Sequence, residues 1–433
     1  MAPSTDRIHW NKKICLWIET TQTRWGPCYP AGFRVTSYSY HNRTIMALIK
    51  KNLATVLAVI VAVIAITAGV VNKVKPTLFM TLPFPISIIL WAECFGNEMA
   101  PYFMPDAWSD DEIKTWTKPG DLIVSVGAKQ GTNWMLYCTH QIRMKASEDA
   151  DDLFLDVNVA TPWMDLRQSR HGSWQEQKDR YNTTIISSTG KQYNYYWDNP
   201  RYPFRIFKSH YAPKETDGGV LPITTNRQLK FLGMVRNGLD IANSLILFFN
   251  DTTDDFRNLF GGFPPKSPPG DTLEVTAHKR INELLPGNLL DFVYFEYAKR
   301  WWQMKEEPNV LLLHYADAKR DLKGTVKKLA KFVEVDLTDE EVDKVTERCH
   351  IDHMRTIKDK FGYIMPLNLD DSFDNEKSRI LIPGAVVRDG YIDNTHKHPF
   401  TDKHREDWKN AEEKVFGEFD PNLLRWAREG GPF

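Results

Sequence analysis

The segment GAKQGTNW at residues 127–134 places small residues, a lysine and hydrogen-bonding side chains directly after an apolar run. The apolar run DLIVSV at 121–126 predicts a strand, and the spacing of apolar residues in TNWMLYCTHQIRMK predicts a helix after the turn. Backbone N–H groups at the beginning of a helix bind phosphate, and Lys129 would add a positive charge. The segment therefore predicts an anion-binding turn, with an ordinary turn that carries a surface lysine as the alternative. It differs from the GxxxxGKS/T nucleotide loop, in which the lysine follows the last glycine.

Two further units repeat this order of strand and helix. KFLGMV at 230–235 is followed by the turn RNGLD and the apolar segment IANSLILFFN, and VLLLH at 310–314 precedes the amphipathic segment LKGTVKKLAKFVEV. Strands that alternate with helices predict an α/β fold whose mostly parallel sheet is covered on both faces. The ligand site of such a fold lies at the carboxyl ends of the strands.

The overall composition limits the class of protein. The chain has 433 residues, of which 42% are hydrophobic, and this excludes a disordered or collagenous chain and allows a large packed core. Lys and Arg number 55 against 56 Asp and Glu, a balance that argues against broad nucleic-acid binding, which needs a basic excess. Five widely spaced cysteines indicate neither a disulfide framework nor a CxxC metal site, so we expect a mostly reduced chain. Any anion should bind in a local site.

The N-terminal part of the chain has a different character. Residues 1–52 carry eight Lys or Arg against two Asp or Glu, and an uncharged apolar run extends from Leu53 to Val71. A helix needs roughly 20 apolar residues to cross a membrane, so this run predicts a transmembrane helix. A cleaved signal peptide and a buried core helix remain alternatives. The expected organisation is a basic tail (1–52), a transmembrane helix (53–72), an apolar juxtamembrane segment (73–100) and one large domain (101–433).

The charges around the apolar run predict the topology. Basic residues concentrate before it, which favours a cytoplasmic N-terminus, a single-pass membrane protein and a lumenal domain in the Golgi or endoplasmic reticulum. A second apolar stretch at 78–92 is short for a full span, and a crossing there would return the domain to the cytosol. The sequons that begin at Asn182 and Asn250 would be glycosylated only in a lumenal domain.

Four segments resemble the blocks of sulfotransferases that use 3′-phosphoadenosine 5′-phosphosulfate. VGAKQGTNW resembles the family's PKSGTTW loop, and FKSHYAP at 207–213 is similar to its KTHLP block. FLGMVRNGLDIANSLILFF at 231–249 resembles its 3′-phosphate strand and helix, and LLHYADAK resembles its YEDMK strand end. The blocks occur in the family's order across residues 118 to about 400. The resemblance is to the cytosolic-type branch, and it implies a P-loop-like, three-layer α/β/α fold.

The resemblance also implies which residues bind the nucleotide. The 127–134 turn would cradle the 5′-phosphosulfate, Trp134 would stack on the adenine, and Arg236 and Ser244 would hold the 3′-phosphate. From the residues alone, an ion pair between Arg236 and Asp240 and core packing of Tyr315 remain alternatives. The implied nucleotide-binding residues are Lys129, Gln130, Gly131, Thr132, Asn133, Trp134, Arg236, Ser244, Tyr315, Arg388 and Gly390.

A late block, VVRDGYIDNT, departs from the family pattern. It keeps Arg388 and Gly390 of the family's RKGxxGDWK block but has Asp389 where a lysine is usual. A carboxylate beside a phosphate would repel it, so either Asp389 points away or the alignment is shifted by a few residues.

The resemblance implies that His210 is the catalytic base. An alcohol or amine that attacks sulfur must lose a proton near neutral pH, and imidazole is suited to accept it. Lys208 and Lys129 would stabilise charge on the sulfonate and on the bridging oxygen, so no metal is required. The cluster from Cys349 to His353 could indicate zinc, but it lacks a second pair of ligands at the usual spacing.

Together the motifs predict a sulfotransferase that moves a sulfonate to a hydroxyl or amine of a small acceptor. A membrane anchor favours a lipophilic acceptor such as a sterol or phenol, and the aromatic segment YNYYWDNPRYPF at 193–204 could either line its pocket or pack in the core. A Golgi-type glycan sulfotransferase and a non-catalytic membrane scaffold with a degenerate nucleotide fold remain alternatives. The expected partners are the small-molecule acceptor and the membrane, without nucleic acid, and the oligomeric state stays open.

Overall fold

The computed structural model describes most of the chain after residue 104. The described residues are 105–165, 173–182, 184–186, 190, 192–194, 197–216, 219–254, 257, 266–267, 270–288, 290–364, 379–388 and 399–433. The predicted basic tail, transmembrane helix and juxtamembrane segment lie outside these ranges, as does Gly390. Within the ranges, none of the helices is long and apolar enough to cross a membrane.

The central sheet is parallel, as the alternation of strands and helices predicts. β4, β1, β5 and β6 lie side by side in that order, whereas β2 and β3 form a separate antiparallel hairpin. The predicted strands at 230–235 and 310–314 are confirmed with their bounds, and the strand predicted at 121–126 is one residue shorter at each end. The described strands are β1 (Leu122–Ser125), β2 (Thr184–Ile186), β3 (Gln192–Asn194), β4 (Ile206–Ser209), β5 (Lys230–Val235) and β6 (Val310–His314).

A helix follows three of the four described strands of the central sheet, namely β1, β5 and β6. In the part of the chain that the structure describes the helices are α1 (Asp110–Trp116), α2 (Thr132–Arg143), α3 (Trp174–Tyr181), α4 (Gly238–Asn250), α5 (Leu273–Leu284), α6 (Phe295–Gln303), α7 (Tyr315–Arg320), α8 (Leu322–Phe332), α9 (Asp339–Cys349), α10 (Ile351–Thr356), α11 (Asp402–Glu412) and α12 (Pro421–Glu429). The helix predicted after the 127–134 turn is α2. The RNGLD turn begins α4, because the Asn237 side chain accepts hydrogen bonds from the backbone N–H groups of Leu239 and Asp240.

The sheet is covered on both faces, so the three-layer α/β/α prediction is confirmed. Alternate strand residues point to opposite faces, and Ile123 and Phe231 lie in one core cluster while Leu122 and Leu232 lie in the other. The first cluster also contains buried residues of α1, α3, α4, α5, α6, α11 and α12. The second contains buried residues of α2, α7, α8, α9 and α10. Buried apolar side chains on both faces explain why the strands read as continuous hydrophobic runs.

The parallel register aligns the carboxyl ends of the strands. Ser125 of β1 lies opposite Ser209 of β4, and Val235 of β5 lies opposite His314 of β6. The residues that follow these positions therefore meet at one edge of the sheet. They are Val126, His210, Arg236 and Tyr315.

The aromatic segment at 193–204 contributes to the core. The rings of Trp197 and Trp116 lie 5.9 Å apart and those of Trp197 and Phe207 lie 5.8 Å apart, within the first core cluster. Tyr202 lies under the Arg143 guanidinium, which is 3.6 Å from the ring centre. For these two aromatic side chains the core-packing alternative is correct, because both are buried against side chains of the fold.

Candidate active site

The turn between β1 and α2 depends on unusual backbone angles. Lys129 has a φ of 62° and Gly131 has a φ of 111°, and Gly131 occupies the position before the first helical residue of α2. A Cβ atom on Gly131 would lie 3.0 Å from Sδ of Met234 and 3.2 Å from the Tyr315 ring. Both the angle and the close contact therefore favour glycine. The turn directs the beginning of α2 towards the carboxyl edge of the sheet, where its N–H groups favour an anion.

Gln130 has a structural role that the sequence pattern did not reveal. Its side chain is fully buried; the amide nitrogen donates to the Val293 carbonyl at 2.8 Å, and the amide oxygen accepts the Arg236 backbone N–H at 3.1 Å. Gly127 makes room for it, since a Cβ there would lie 2.2 Å from the Gln130 Nε2 atom. The side chain predicted to contact phosphate thus joins the turn to the end of β5.

Asn133 presents an unpaired amide at the beginning of α2. Its side chain is 7% exposed, and neither amide atom has a hydrogen-bond partner among the described residues. A buried polar group without a partner costs about 1–3 kcal/mol. An anionic oxygen in the turn could accept a hydrogen bond from the Asn133 nitrogen and offset that cost. The neighbouring Thr132 hydroxyl already donates to the Val126 carbonyl at 3.1 Å.

Tyr315 contacts both Trp134 and Arg236 at the carboxyl edge of the sheet. The Trp134 and Tyr315 rings lie 5.3 Å apart at an angle of 67°, and the Arg236 guanidinium lies 4.4 Å from the Tyr315 ring centre. The alternative of an ion pair with Asp240 is confirmed, because the Arg236 guanidinium lies 3.6 Å from the Asp240 carboxylate. Binding of a 3′-phosphate by Arg236 stays a prediction. Tyr315 is buried and contributes to the second core cluster as well as to this edge.

The remaining predicted phosphate ligands lie on or next to α4. Ser244 is half-buried on this helix, two turns after Arg236. Arg388 forms an ion pair with Asp251, the residue directly after α4. The backbone of Asp251 also accepts a hydrogen bond from the Ile382 N–H at 3.0 Å, so the 379–388 segment is attached to this end of the helix.

Lys129 lies near two other positive charges, those of Arg236 and Arg388. Its Nζ atom lies 4.8 Å from the Phe248 ring centre. Burial, then the charges of Arg388 and Arg236, lower the pKa of Lys129 to about 7. The positive charges of Arg388 and Arg236 beside Lys129 create a site that favours a bound anion.

Lys208 lies in an aromatic cage at the end of β4. Its side chain is 0% exposed, its Nζ atom donates to the Asn158 side chain at 3.1 Å, and it lies 3.8 Å from the ring centres of both Trp163 and Tyr363. Tyr363 has a φ of 54°, a strained value for an aromatic residue, and the surrounding structure holds it there. Burial lowers the pKa of Lys208 well below its usual value, and the charges of Asp165 and Asp156 only partly oppose this effect.

His210 is held in one tautomer. Its Nδ1 atom lies 2.6 Å from the Val126 carbonyl, which can only accept, so Nδ1 carries the proton and the lone pair is on Nε2. The Trp163 ring lies edge-on to the imidazole with a centre distance of 5.1 Å. Burial and the neighbouring Lys208 lower the pKa of His210 to about 3, whereas its bond to Val126 opposes the shift. The imidazole is therefore neutral at physiological pH.

Asp165 organises this region, although no sequence pattern indicates its role. Residues 162–164 lie along β4, with the Lys208 N–H bonded to the Pro162 carbonyl at 2.8 Å, and this places Asp165 beside His210. The Asp165 carboxylate accepts four hydrogen bonds at 2.5–3.1 Å and is 2% exposed. Its donors are the indole N–H groups of Trp108 and Trp163, the Ser209 hydroxyl and the His210 backbone N–H. An acid in an irregular stretch has no spacing that would reveal such a role.

The geometry therefore combines two elements at one edge of the sheet. A neutral imidazole with its Nε2 lone pair available for a proton lies beside Lys208, and the helix-terminal turn carries Lys129 with Arg236 and Arg388 nearby. Such a site can bind a polyanion and remove a proton from a nucleophile.

Comparison with known proteins gives the family. A sequence profile described as the sulfotransferase domain matches residues 119–378, which is more than half of the chain. The chain belongs to the sulfotransferase family. The predicted enzyme class is thereby confirmed, and the match spans the turn at 127–134, His210, Arg236 and Tyr315 of this sulfotransferase.

Curated relatives are distant. Rabbit (Oryctolagus cuniculus) amine sulfotransferase is 27% identical over 198 residues, which are 45% of this chain and 56% of the relative. Mouse (Mus musculus) sulfotransferase 2A1 is 24% identical over 319 residues, which are 73% of this chain and 91% of the relative. This sulfotransferase thus spans little more than half the length of the rabbit protein.

Solved structures that match this chain are also distant in sequence. The mouse sulfotransferase SULT7A1 complexed with PAP is 17% identical, with a TM-score of 0.47, and the match covers 75% of this chain and 95% of the other. Retinol dehydratase in a complex with retinol and PAP is 18% identical, with a TM-score of 0.46, and the match covers 70% of this chain and 81% of the other.

Replacing Asp165 tests its positioning of the imidazole. In Asp165→Asn the amide nitrogen cannot accept a hydrogen bond, so His210 or Ser209 loses its acceptor and the imidazole shifts. A misplacement of about 1 Å costs roughly 100-fold in rate, so we expect kcat to fall by about this factor while PAP affinity changes by less than about threefold. Asp151→Asn, which removes a carboxylate bonded to Tyr137 and Gln141, is the control and should keep kcat. Equal losses of kcat in the two variants would contradict the assignment.

The lowered pKa of Lys129 makes anion binding depend on pH. A bound phosphate raises the pKa of Lys129 again, so above pH 7 binding takes up a proton and the affinity for PAP falls by at most about tenfold per pH unit. Titration calorimetry from pH 7 to 9, in buffers that differ in ionisation enthalpy, measures the uptake. Lys129→Met should remove the component with a midpoint near pH 7, and Lys323→Met, on the surface, should keep it. A pH-independent affinity in the unmodified protein would refute this account.

Proposed function

We propose that this sulfotransferase transfers a sulfonate from 3′-phosphoadenosine 5′-phosphosulfate, in line, to a hydroxyl or amine of a small lipophilic acceptor, with His210 as the general base. The observation that carries the proposal is the hydrogen bond from His210 Nδ1 to the Val126 carbonyl. It leaves the lone pair on Nε2, and the low pKa keeps the imidazole unprotonated at neutral pH.

The residues at the carboxyl edge fit the nucleotide donor, which would supply the sulfonate. The unpaired Asn133 amide, the N–H groups that begin α2 and Lys129 suit the 5′-phosphosulfate. Arg236, Arg388 and Ser244 suit a 3′-phosphate, with Arg388 exchanging its Asp251 partner for the phosphate. The Trp134 and Tyr315 rings suit the adenine. PAP in the two solved relatives supports this assignment of the ligand class.

Proton and charge transfer follow from these positions. His210 Nε2 would accept the proton of the attacking hydroxyl or amine as its oxygen or nitrogen bonds to sulfur, while the bond from sulfur to the bridging oxygen breaks. Lys129 and Lys208 would stabilise the charge on that oxygen and on the sulfonate. The negatively charged donor would raise the low pKa of Lys208 towards its usual value and so favour the charged form of this lysine.

The surroundings of His210 support a lipophilic acceptor. The Trp163 ring lies next to both the His210 imidazole and Lys208, and the Tyr363 ring lies next to Lys208. These rings provide apolar surface close to the base. The name of the rabbit relative, amine sulfotransferase, supports a small acceptor. The alternative of a glycan acceptor is favoured only by the predicted single-pass topology.

Labelling experiments test this function. Purified protein is incubated with labelled donor and a panel of sterols, phenols, amines and glycans, beside His210→Ala. Loss of the base should lower transfer at least 100-fold and leave PAP affinity within about threefold, since His210 acts on the acceptor. His350→Ala, an exposed histidine outside the site, should transfer normally.

The labelling outcomes separate the alternatives. Transfer to glycans alone favours the glycan sulfotransferase. Absence of transfer to any acceptor would favour the non-catalytic scaffold and overturn the proposal. Equal transfer by His210→Ala would show that another group is the base and would overturn the role of His210.

We also propose that residues 53–71 anchor the protein in a Golgi or endoplasmic reticulum membrane, with the enzyme domain in the lumen. The charge asymmetry around that run supports this topology, and both sequon asparagines, Asn182 and Asn250, are exposed in the folded domain. In a mammalian cell, glycosidase treatment of the full chain should increase its gel mobility, and Asn182→Gln with Asn250→Gln should abolish the change. A chain that carries no glycan and whose domain is digested by protease added to intact microsomes would place the domain in the cytosol.

A further inference from the structure

Two buried cysteines from distant parts of the sequence meet behind the proposed adenine site. Cys138 lies in the middle of α2 and Cys349 is the last residue of α9, and both side chains are 0% exposed in the second core cluster. Both are free thiols in this structure, and Cys349 is near enough to Cys138 to contribute to the raised pKa of its thiol. The pair is separate from the residues that the proposed reaction uses.

Neighbouring contacts hold the two cysteines together. Trp134, one helical turn before Cys138, donates its indole N–H to the Cys349 carbonyl at 2.9 Å. Arg348 donates to the Gln141 side chain at 3.1 Å and to the Ser147 carbonyl at 2.8 Å. The end of α9 is therefore attached to the same face of α2 on both sides of Cys138, which holds the two cysteines in neighbouring positions.

We propose that Cys138 and Cys349 form a disulfide when the chain folds in an oxidising compartment. The oxidant is a small-molecule disulfide such as oxidised glutathione. One cysteine thiolate attacks it and releases one reduced glutathione, and the second thiolate then attacks the mixed disulfide and releases another. The protein loses two electrons and two protons, and glutathione disulfide gains them.

The timing of this step follows from burial. Burial, together with the neighbouring Cys349, raises the pKa of the Cys138 thiol, and the closed fold shields both sulfur atoms from an oxidant. The bond therefore forms during folding, or when the end of α9 opens, rather than in the closed native state. Its occurrence in the cell rests on the proposed lumenal location, whereas its chemistry can be tested in the purified chain.

A disulfide here would strengthen the connection between the anion-binding helix and α9. The closed loop would contain more than half of the described domain. A disulfide that closes a long loop removes more conformational entropy from the unfolded chain than one that closes a short loop, and so stabilises the fold more. It would also fix the Cys349 carbonyl that orients the Trp134 indole. The alternative is a pair of inert thiols that fill the core as small apolar groups.

The test uses the full chain with Cys15→Ser, Cys28→Ser and Cys94→Ser, so that only the pair remains. The protein is produced in a reducing host and purified in detergent. One sample is incubated folded with reduced and oxidised glutathione, and another is unfolded and refolded in the same buffer. Thiols are then alkylated under denaturing conditions and the peptides are mapped by mass spectrometry.

We expect the refolded sample to contain the Cys138–Cys349 peptide pair, lighter by two hydrogen atoms than the reduced peptides. Oxidation should raise the thermal unfolding midpoint by roughly 5 °C or more, and dithiothreitol should reverse the shift. Cys138→Ala in the same background should show no shift on oxidation. This control separates the cross-link from other effects of the buffer.

Two results would overturn the inference. One is that both cysteines remain open to alkylation or carry glutathione after refolding, and the other is that the cross-link forms but lowers the thermal midpoint. Neither readout involves sulfonate transfer. PAP binding and acceptor labelling, measured on the same samples, show independently whether the proposed function holds.

Discussion

The carboxylate of Asp165 is the interaction on which the geometry of the active site depends. It accepts hydrogen bonds from Ser209 and the His210 backbone on one side and from Trp108 and Trp163 on the other. Burial raises the pKa of Asp165, and these four donors oppose that rise by stabilising its charged form. Through these bonds one buried group aligns the end of β4, the proposed base and one wall of the Lys208 cage.

The second constraint is the positive charge gathered at the carboxyl edge of the sheet. The charges of Arg236 and Arg388 help to lower the pKa of Lys129. Each arginine is also paired with a carboxylate, Arg236 with Asp240 and Arg388 with Asp251. The chain as a whole is nearly neutral, with a net charge of -1. A focused cluster within a neutral surface suits one small anionic ligand, and it explains why the overall charge did not reveal the site.

Local patterns predicted the elements that carry the site but not the contacts within it. Alternating apolar strands and helices identified the parallel sheet, and 230–235 and 310–314 have the predicted bounds. The role of Gln130 could not be read from its position in the turn, because its partners Val293 and Arg236 lie more than 100 residues away. Asp165 likewise acts on His210, 45 residues further along the chain. Periodicity describes which face of an element is apolar, and it does not describe which elements meet.

The sequence alone determined the family, and it predicted an anion site at the 127–134 turn and His210 as the base, because these depend on residue types at short spacing. Only the tertiary structure decided their chemical state. His210 is neutral with its lone pair on Nε2, and Lys129 titrates near pH 7, because burial and groups from distant segments set these properties. The contact between Cys138 and Cys349 has the same origin. A pKa or a thiol pair depends on three-dimensional neighbours, and folding brings these neighbours together from strands and helices that are far apart in the chain.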